Sequence, residues 1–201
     1  MIRGFFLAFV LALSNSDLAA EQPVYTQEIF TPCEQWAVDL IYDGLEVVDT
    51  LCREHKIEYA LTGGTLLGSH WYGGLIPWDD DADISMLEDD VERFLMLLPE
   101  LNARGFDVTK SEWGYYIFPI DGIPTPKGQK YPSIDLFPLK LRGDKYCCAL
   151  DRAYAHWPNE YFTKQEWKRI SNVPFGHLWL RGHRGKDAER MLNSSYGPLW
   201  K

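Results

Sequence analysis

Residues 61–86 read LTGGTLLGSHWYGGLIPWDDDADISM, and two features of this stretch decide the fold. The first is the turn Thr62-Gly63-Gly64-Thr65, between a short apolar strand over 57–61 and a helix over 66–71. Glycine lets a backbone approach a ligand closely. The helix N-terminus behind it offers free N–H groups and a dipole that favours phosphate. A plain tight turn has the same sequence, so this feature is weak alone. The second is the strand over 79–86, with Asp79, Asp81 and Asp83 at alternate positions. Alternate side chains of an extended chain share one face. Three carboxylates within about 13 Å repel one another unless a cation sits among them. Hard divalent cations take such oxygen ligands, and Mg²⁺ combines one or two carboxylates with substrate phosphates. A solvated acidic loop is the plainer reading. The apolar frame of Ile76, Pro77 and Trp78 before the run, and Ile84, Met86 and Leu87 after it, argues against that.

An EF-hand is excluded. Asp79, Asp81 and Asp83 fit loop positions 1, 3 and 5, but position 6 requires glycine and here holds Ile84. A further acid, Asp135, lies inside the apolar strand 133–139 (SIDLFPL). If that strand neighbours the Asp81/Asp83 strand, three carboxylates converge.

Outward from this centre, a helix is expected from Thr31 as N-cap, with Pro32 at N1 and Glu34 at N3, to about His55. An amphipathic helix is expected over 88–101, paired strands over 106–110 and 115–120, and a Pro/Gly loop over 124–128. Residues 145–170 read as helical and irregular, 173–180 as a late strand or hairpin, and 187–194 as a closing helix. The order gives a single α+β (mixed α/β) domain, a central sheet flanked by helices.

The chain has 201 residues, with 20 Lys+Arg against 29 Asp+Glu and a net charge of −9. That balance argues against nucleic acid or an anionic membrane surface as partner, since both need a basic face. An anionic substrate then requires something to neutralise local carboxylates, and a divalent cation does so. The apolar run over 4–13 (GFFLAFVLAL) is too short to span a bilayer and reads as a signal peptide over 1–20, leaving a domain over 21–201. Secretory-pathway lumen (ER or Golgi) or secretion is the expected location, with no membrane span after cleavage. Cys33 and Cys52 are expected at opposite ends of one helix, about 28 Å apart, beyond disulfide reach.

The combination of Gly-Gly-Thr turn, D-x-D strand and later acid resembles the nucleotidyltransferase fold. The fuller string GGTLLGSHWYGGLIPWDDDADI, with SIDLFPL and Tyr196-Gly197 later, resembles the LicD phosphotransferase family, which includes bacterial phosphocholine transferases and the eukaryotic fukutin and fukutin-related proteins. The resemblance implies transfer of a phospho-alditol or phosphocholine group from a CDP-linked donor to a glycan hydroxyl, with Mg²⁺ or Mn²⁺ and release of CMP. It implies Asp81, Asp83 and Asp135 as metal ligands, and Asp79 or Asp135 as general base. Gly63, Gly64 and Thr65 are placed beside phosphate. Lys127, Lys130, Arg181, His183 and Arg184 are candidate donor or acceptor contacts, and the tryptophans are candidate stacking surfaces. Two alternatives stand beside this: a nucleotidyltransferase that releases diphosphate, and a secreted Ca²⁺-dependent carbohydrate-binding module.

Overall fold

The computed structural model describes residues 31–126 and 128–200. The leader expected over 1–20 and the candidate contact Lys127 lie outside the described residues.

The first helix, α1 (Gln35–His55), turns Ala37, Ile41, Leu45, Val48, Leu51 and Cys52 inward at helical spacing. Its start differs from expectation. Thr31 to Glu34 are not helical, and Glu34 occupies the N-cap without a side-chain bond. The segment is held instead by tertiary bonds, Cys33 N–H to the Pro77 carbonyl at 2.8 Å and the Cys33 thiol to the Asp79 carbonyl at 3.2 Å. All four cysteines are free.

Next come β1 (Tyr59–Leu61), α2 (Gly63–Trp71) and β2 (Asp81–Leu87). The Gly-Gly-Thr turn is thus itself the first turn of α2. The single helix expected over 88–101 is two, α3 (Glu88–Leu95) and α4 (Leu98–Ala103). Pro99 explains the break, because it has no N–H to bond back and its ring clashes with the carbonyl four residues earlier. The hairpin β3 (Phe106–Lys110) and β4 (Tyr115–Pro119) forms as expected. A two-residue ribbon, β5 (Ile123–Pro124) with β6 (Lys130–Tyr131), leads to β7 (Ser133–Arg142).

Residues 145–170 hold two strands that sequence did not reveal. These are β8 (Lys145–Cys148) and β9 (Tyr161–Thr163), around α5 (Asp151–His156) and before α6 (Lys164–Trp167). A capping box closes α6, with Thr163 and Glu166 bonding reciprocally. The hairpin β10 (Ser171–Phe175) and β11 (Leu178–Gly182) and the helix α7 (Gly185–Tyr196) complete the chain.

Seven strands form one curled sheet in the order β1-β2-β7-β4-β3, with β8 on β7 and β9 on β8. The β2 and β7 strands are parallel neighbours; the other pairs are antiparallel. Ala82, Ile84 and Met86 of β2 and Ile134 and Leu136 of β7 are buried on one face. The α1 helix lies close on that face, because Gly44 leaves room for the Ile134 and Phe106 side chains. Each fully buried Ile, Leu or Met there contributes roughly 1.5–3 kcal/mol. The alternate residues of the same two strands carry the acids. Among the described residues no helix is long and apolar enough to cross a membrane.

Candidate metal and phosphate site

Strand register builds the site. Because β2 and β7 run parallel with Asp83 opposite Asp135 and Asp81 opposite Ser133, Asp81, Asp83 and Asp135 share one face. They offer carboxylate oxygens within 4.8 Å of one another, and Asp79, Asp80 and Asp81 form an overlapping group. Asp79 is 8% and Asp83 9% exposed.

The turn ahead of α2 holds Asp83. The Gly64 N–H donates to Asp83 Oδ2 at 3.0 Å, and the Asp83 N–H donates to Thr65 Oγ1 at 2.6 Å. Gly63 sits at φ +51°, and a Cβ there would lie 2.6 Å from Asp83 Oδ2. The three turn residues read as phosphate-binding therefore also position a metal-ligating candidate. On the β7 side, Ser133 Oγ donates to Asp135 Oδ1 at 3.3 Å.

Burial first, then neighbouring carboxylates, hold Asp81 and Asp83 well above the usual carboxylate range. Burial pushes Asp79 up to about 6, against a hydrogen bond with Asp81 that lowers it. Two ionised carboxylates about 4.8 Å apart repel by roughly 3 kcal/mol at an effective dielectric near 20. Asp81 Oδ1 is buried without a hydrogen-bond partner. Hard oxygen donors, mutual repulsion and an orphaned buried oxygen fit a divalent cation of the Mg²⁺ or Mn²⁺ class.

Two neighbours were missed. Glu160, just before β9, is pushed by burial to about 7 and is bonded by Ser195; its charge reaches Asp83. Nothing in its local sequence marks it. The Tyr196 phenol on α7 is raised by burial and then by Asp83, Glu160, Asp79 and Asp81. In the sequence, Tyr196-Gly197 stands out through the resemblance and not as a site residue.

Other candidates lie elsewhere. The Lys130 ammonium donates to the Ile120 carbonyl, within the loop at β6. Arg181 makes two 2.8 Å bonds to Glu58, His183 is buried with Nε2 at 2.9 Å from the Glu166 carbonyl, and Arg184 donates to the Asn172 carbonyl. Arg181 and Arg184 bond to Asn172 within the β10–β11 hairpin, and His183 ties the end of that hairpin to α6. Trp167 packs on Phe162, and Trp113 on Trp157.

These shifts set a pH dependence. Raised folded-state values mean that folding takes up protons. The stabilisation is present below the ordinary carboxylate range and is lost as pH rises through about 6 for Asp79 and about 7 for Glu160. His183, lowered by burial, opposes this below about 6.5. In EDTA, Tm at pH 6 is expected to exceed Tm at pH 8 by several degrees. A higher Tm at pH 8 contradicts the carboxylate assignment. Excess Mg²⁺ should shrink the difference.

The family model for LicD/FKTN/FKRP, nucleotidyltransferase domain, matches residues 56–182. A 51-residue stretch is 47% identical to the lipopolysaccharide cholinephosphotransferase LicD of Haemophilus influenzae, covering 25% of this chain and 19% of that protein. An uncharacterized protein of Rickettsia typhi is 28% identical over 160 residues, covering 80% of this chain and 46% of its own length. The chain spans about half the length, or less, of these curated relatives. Among solved structures, an antigenic nucleotidyltransferase-like protein from Paracoccidioides brasiliensis aligns with a TM-score of 0.45 at 13% identity, covering 77% of this chain and 64% of that one.

Proposed function

Because the chain belongs to the LicD/FKTN/FKRP nucleotidyltransferase-domain family, we propose that it transfers a phospho-alditol or phosphocholine group from a CDP-linked donor to a glycan hydroxyl and releases CMP. The observation that carries this reading is the convergence of Asp81, Asp83 and Asp135 within 4.8 Å beside the N-terminus of α2.

These three carboxylates would hold Mg²⁺ or Mn²⁺. When bound, the ion supplies positive charge that offsets charge on the transferring phosphoryl and the leaving nucleotide. The N-terminus of α2 lends its dipole to the diphosphate, while its Gly64 N–H holds Asp83 in place. Asp79 stands at the edge of the cluster, and its elevated affinity for a proton suits it as the base. The acceptor oxygen attacks the phosphorus distal to cytidine while its proton passes to Asp79. The bond from that phosphorus to the bridging oxygen breaks, and CMP carries the oxygen away. Entry into the secretory pathway is part of the proposal, and rests on the apolar run over 4–13.

The test incubates the protein with CDP-choline or a CDP-alditol, Mg²⁺ and a glycan acceptor, and follows products by mass spectrometry. CMP together with an acceptor heavier by phosphocholine or phospho-alditol is the expected result. An acceptor carrying CMP, with free phosphocholine or phospho-alditol released as the leaving group, overturns it in favour of nucleotidyl transfer. Glycan binding with Ca²⁺ and no donor effect overturns it in favour of a binding module.

A further inference from the structure

A strip of aromatic rings runs across the surface to the edge of the acidic cluster. Ring centroids step from Trp200 to Trp71 at 6.5 Å, from Trp71 to Tyr72 at 6.4 Å and from Tyr72 to Trp78 at 5.8 Å. Trp71, Tyr72 and Trp78 are 50%, 47% and 40% exposed, whereas Trp200 is buried. The residue after Trp78 is Asp79.

The strip is anchored at both ends. Trp200 Nε1 donates to Asn193 Oδ1 at 2.8 Å, tying the chain end to α7. Tyr72 N–H closes α2 on the Gly68 carbonyl at 2.8 Å, and Asp79 N–H bonds the Ile76 carbonyl at 2.9 Å. The three rings pack edge to face on one another, at 76° and 83°, and each leaves about half of its surface in water. Exposed apolar surface gathered in one patch beside buried carboxylates marks an interaction site.

We propose that Trp71, Tyr72 and Trp78 form the acceptor platform, and that its occupant is a neutral saccharide. Sugar rings present C–H faces that stack on aromatic faces and hydroxyl edges that donate to carboxylates. The strip and the adjoining Asp79 and Asp80 provide both. An anionic occupant is disfavoured by the same acids, and a purely apolar one leaves them unused. A saccharide lying on the rings brings a hydroxyl to Asp79, where the transfer takes place. This inference rests on the transferase reading for its purpose, but the binding it asserts is measurable without donor or metal.

The experiment measures binding of fluorescently labelled neutral oligosaccharides, of three to six hexose or N-acetylhexosamine units, to the full chain by anisotropy. It compares wild type with Trp71→Ala, Trp78→Ala and Trp71→Phe, with Trp179→Ala on β11 as the remote control. Trp71→Ala and Trp78→Ala are each expected to weaken binding about tenfold. Trp71→Phe restores most of it, and Trp179→Ala binds as wild type. The acceptor KM in the transfer assay rises by the same factor. Absence of binding to the whole panel, unchanged binding in both alanine variants, or equal loss in Trp179→Ala overturns the platform. So does a Trp71→Ala variant that loses affinity for the CDP-linked donor or changes oligomeric state. Oligosaccharide binding that follows these expectations in a protein that releases no CMP sinks the transferase reading and leaves the platform standing.

Discussion

Asp83→Ala is expected to lower CMP release by about a thousandfold or more, while the metal-free protein melts higher than wild type. The loss of turnover follows from removing a ligand of the ion that offsets phosphoryl charge. The gain in stability follows from comparing two magnitudes. Losing the buried 3.0 Å bond from Gly64 N–H to a carboxylate costs about 2 kcal/mol. Removing a carboxylate that faces Asp81 and Asp135 relieves roughly 3 kcal/mol per ionised neighbour. Relief wins at pH 8, where the neighbours are most ionised, and a net of about 1 kcal/mol for one ionised neighbour raises Tm by a few degrees in a chain of this size. Asp81→Ala should behave alike. Turnover and melting are measured together, with and without Mg²⁺. Near wild-type turnover in either variant removes the metal assignment. A lower metal-free Tm at pH 8 removes the repulsion account.

Gly63→Ala is expected to lose turnover by about a hundredfold through Asp83, with no side chain of the cluster altered. At φ +51°, alanine costs roughly 1 kcal/mol of backbone strain. The larger effect is steric. The new Cβ lies 2.6 Å from Asp83 Oδ2 and 3.1 Å from its Cγ, so the carboxylate must move away from residue 63 and out of the position it holds opposite Asp81 and Asp135. Displacing a positioned group by about 1 Å is enough for a hundredfold loss. Gly143→Ala separates the two causes. Gly143 has φ +64°, and nothing lies within 4 Å of a Cβ there. That variant should share the backbone strain and keep its turnover. If both variants lose turnover equally, or neither does, the contact with Asp83 does not matter to the chemistry.

Much of the site was legible because it is written at short range. Asp81 and Asp83 alternate within β2, so an extended backbone alone places them on one face, whereas Asp79, expected in the same strand, lies ahead of it in a turn whose N–H bonds the Ile76 carbonyl. Asp135 was visible as a lone acid in an apolar strand. Its meeting with Asp83 was a condition, met only because β2 and β7 pair in parallel with that register. Glu160 was invisible because a turn and the packing of α7 bring it near; no local pattern does so. Arg181 and Arg184 read as candidate donor or acceptor contacts, yet their guanidiniums bond to Glu58 and to the Asn172 carbonyl.

The elements show the same division. Periodicity over 35–55 located α1, but not its start, because the Cys33 bonds to Pro77 and Asp79 carbonyls replaced the expected cap. The 88–101 stretch kept its apolar face and still broke, since Pro99 outweighs periodicity. The short strands β8 and β9 gain their hydrogen bonds from β7 and from each other, so their own residues carried little signal. By itself the sequence determined the acidic face, the glycine turn and the mixed α+β class, all of which depend on neighbours within a few residues. Tertiary structure alone decided that Asp135 joins Asp81 and Asp83, that Gly64 and Thr65 grip Asp83, and that Trp200 and Trp78 meet the rings of Trp71 and Tyr72. Those facts depend on register and on helix packing, where residues far apart in the chain meet only after the sheet has formed.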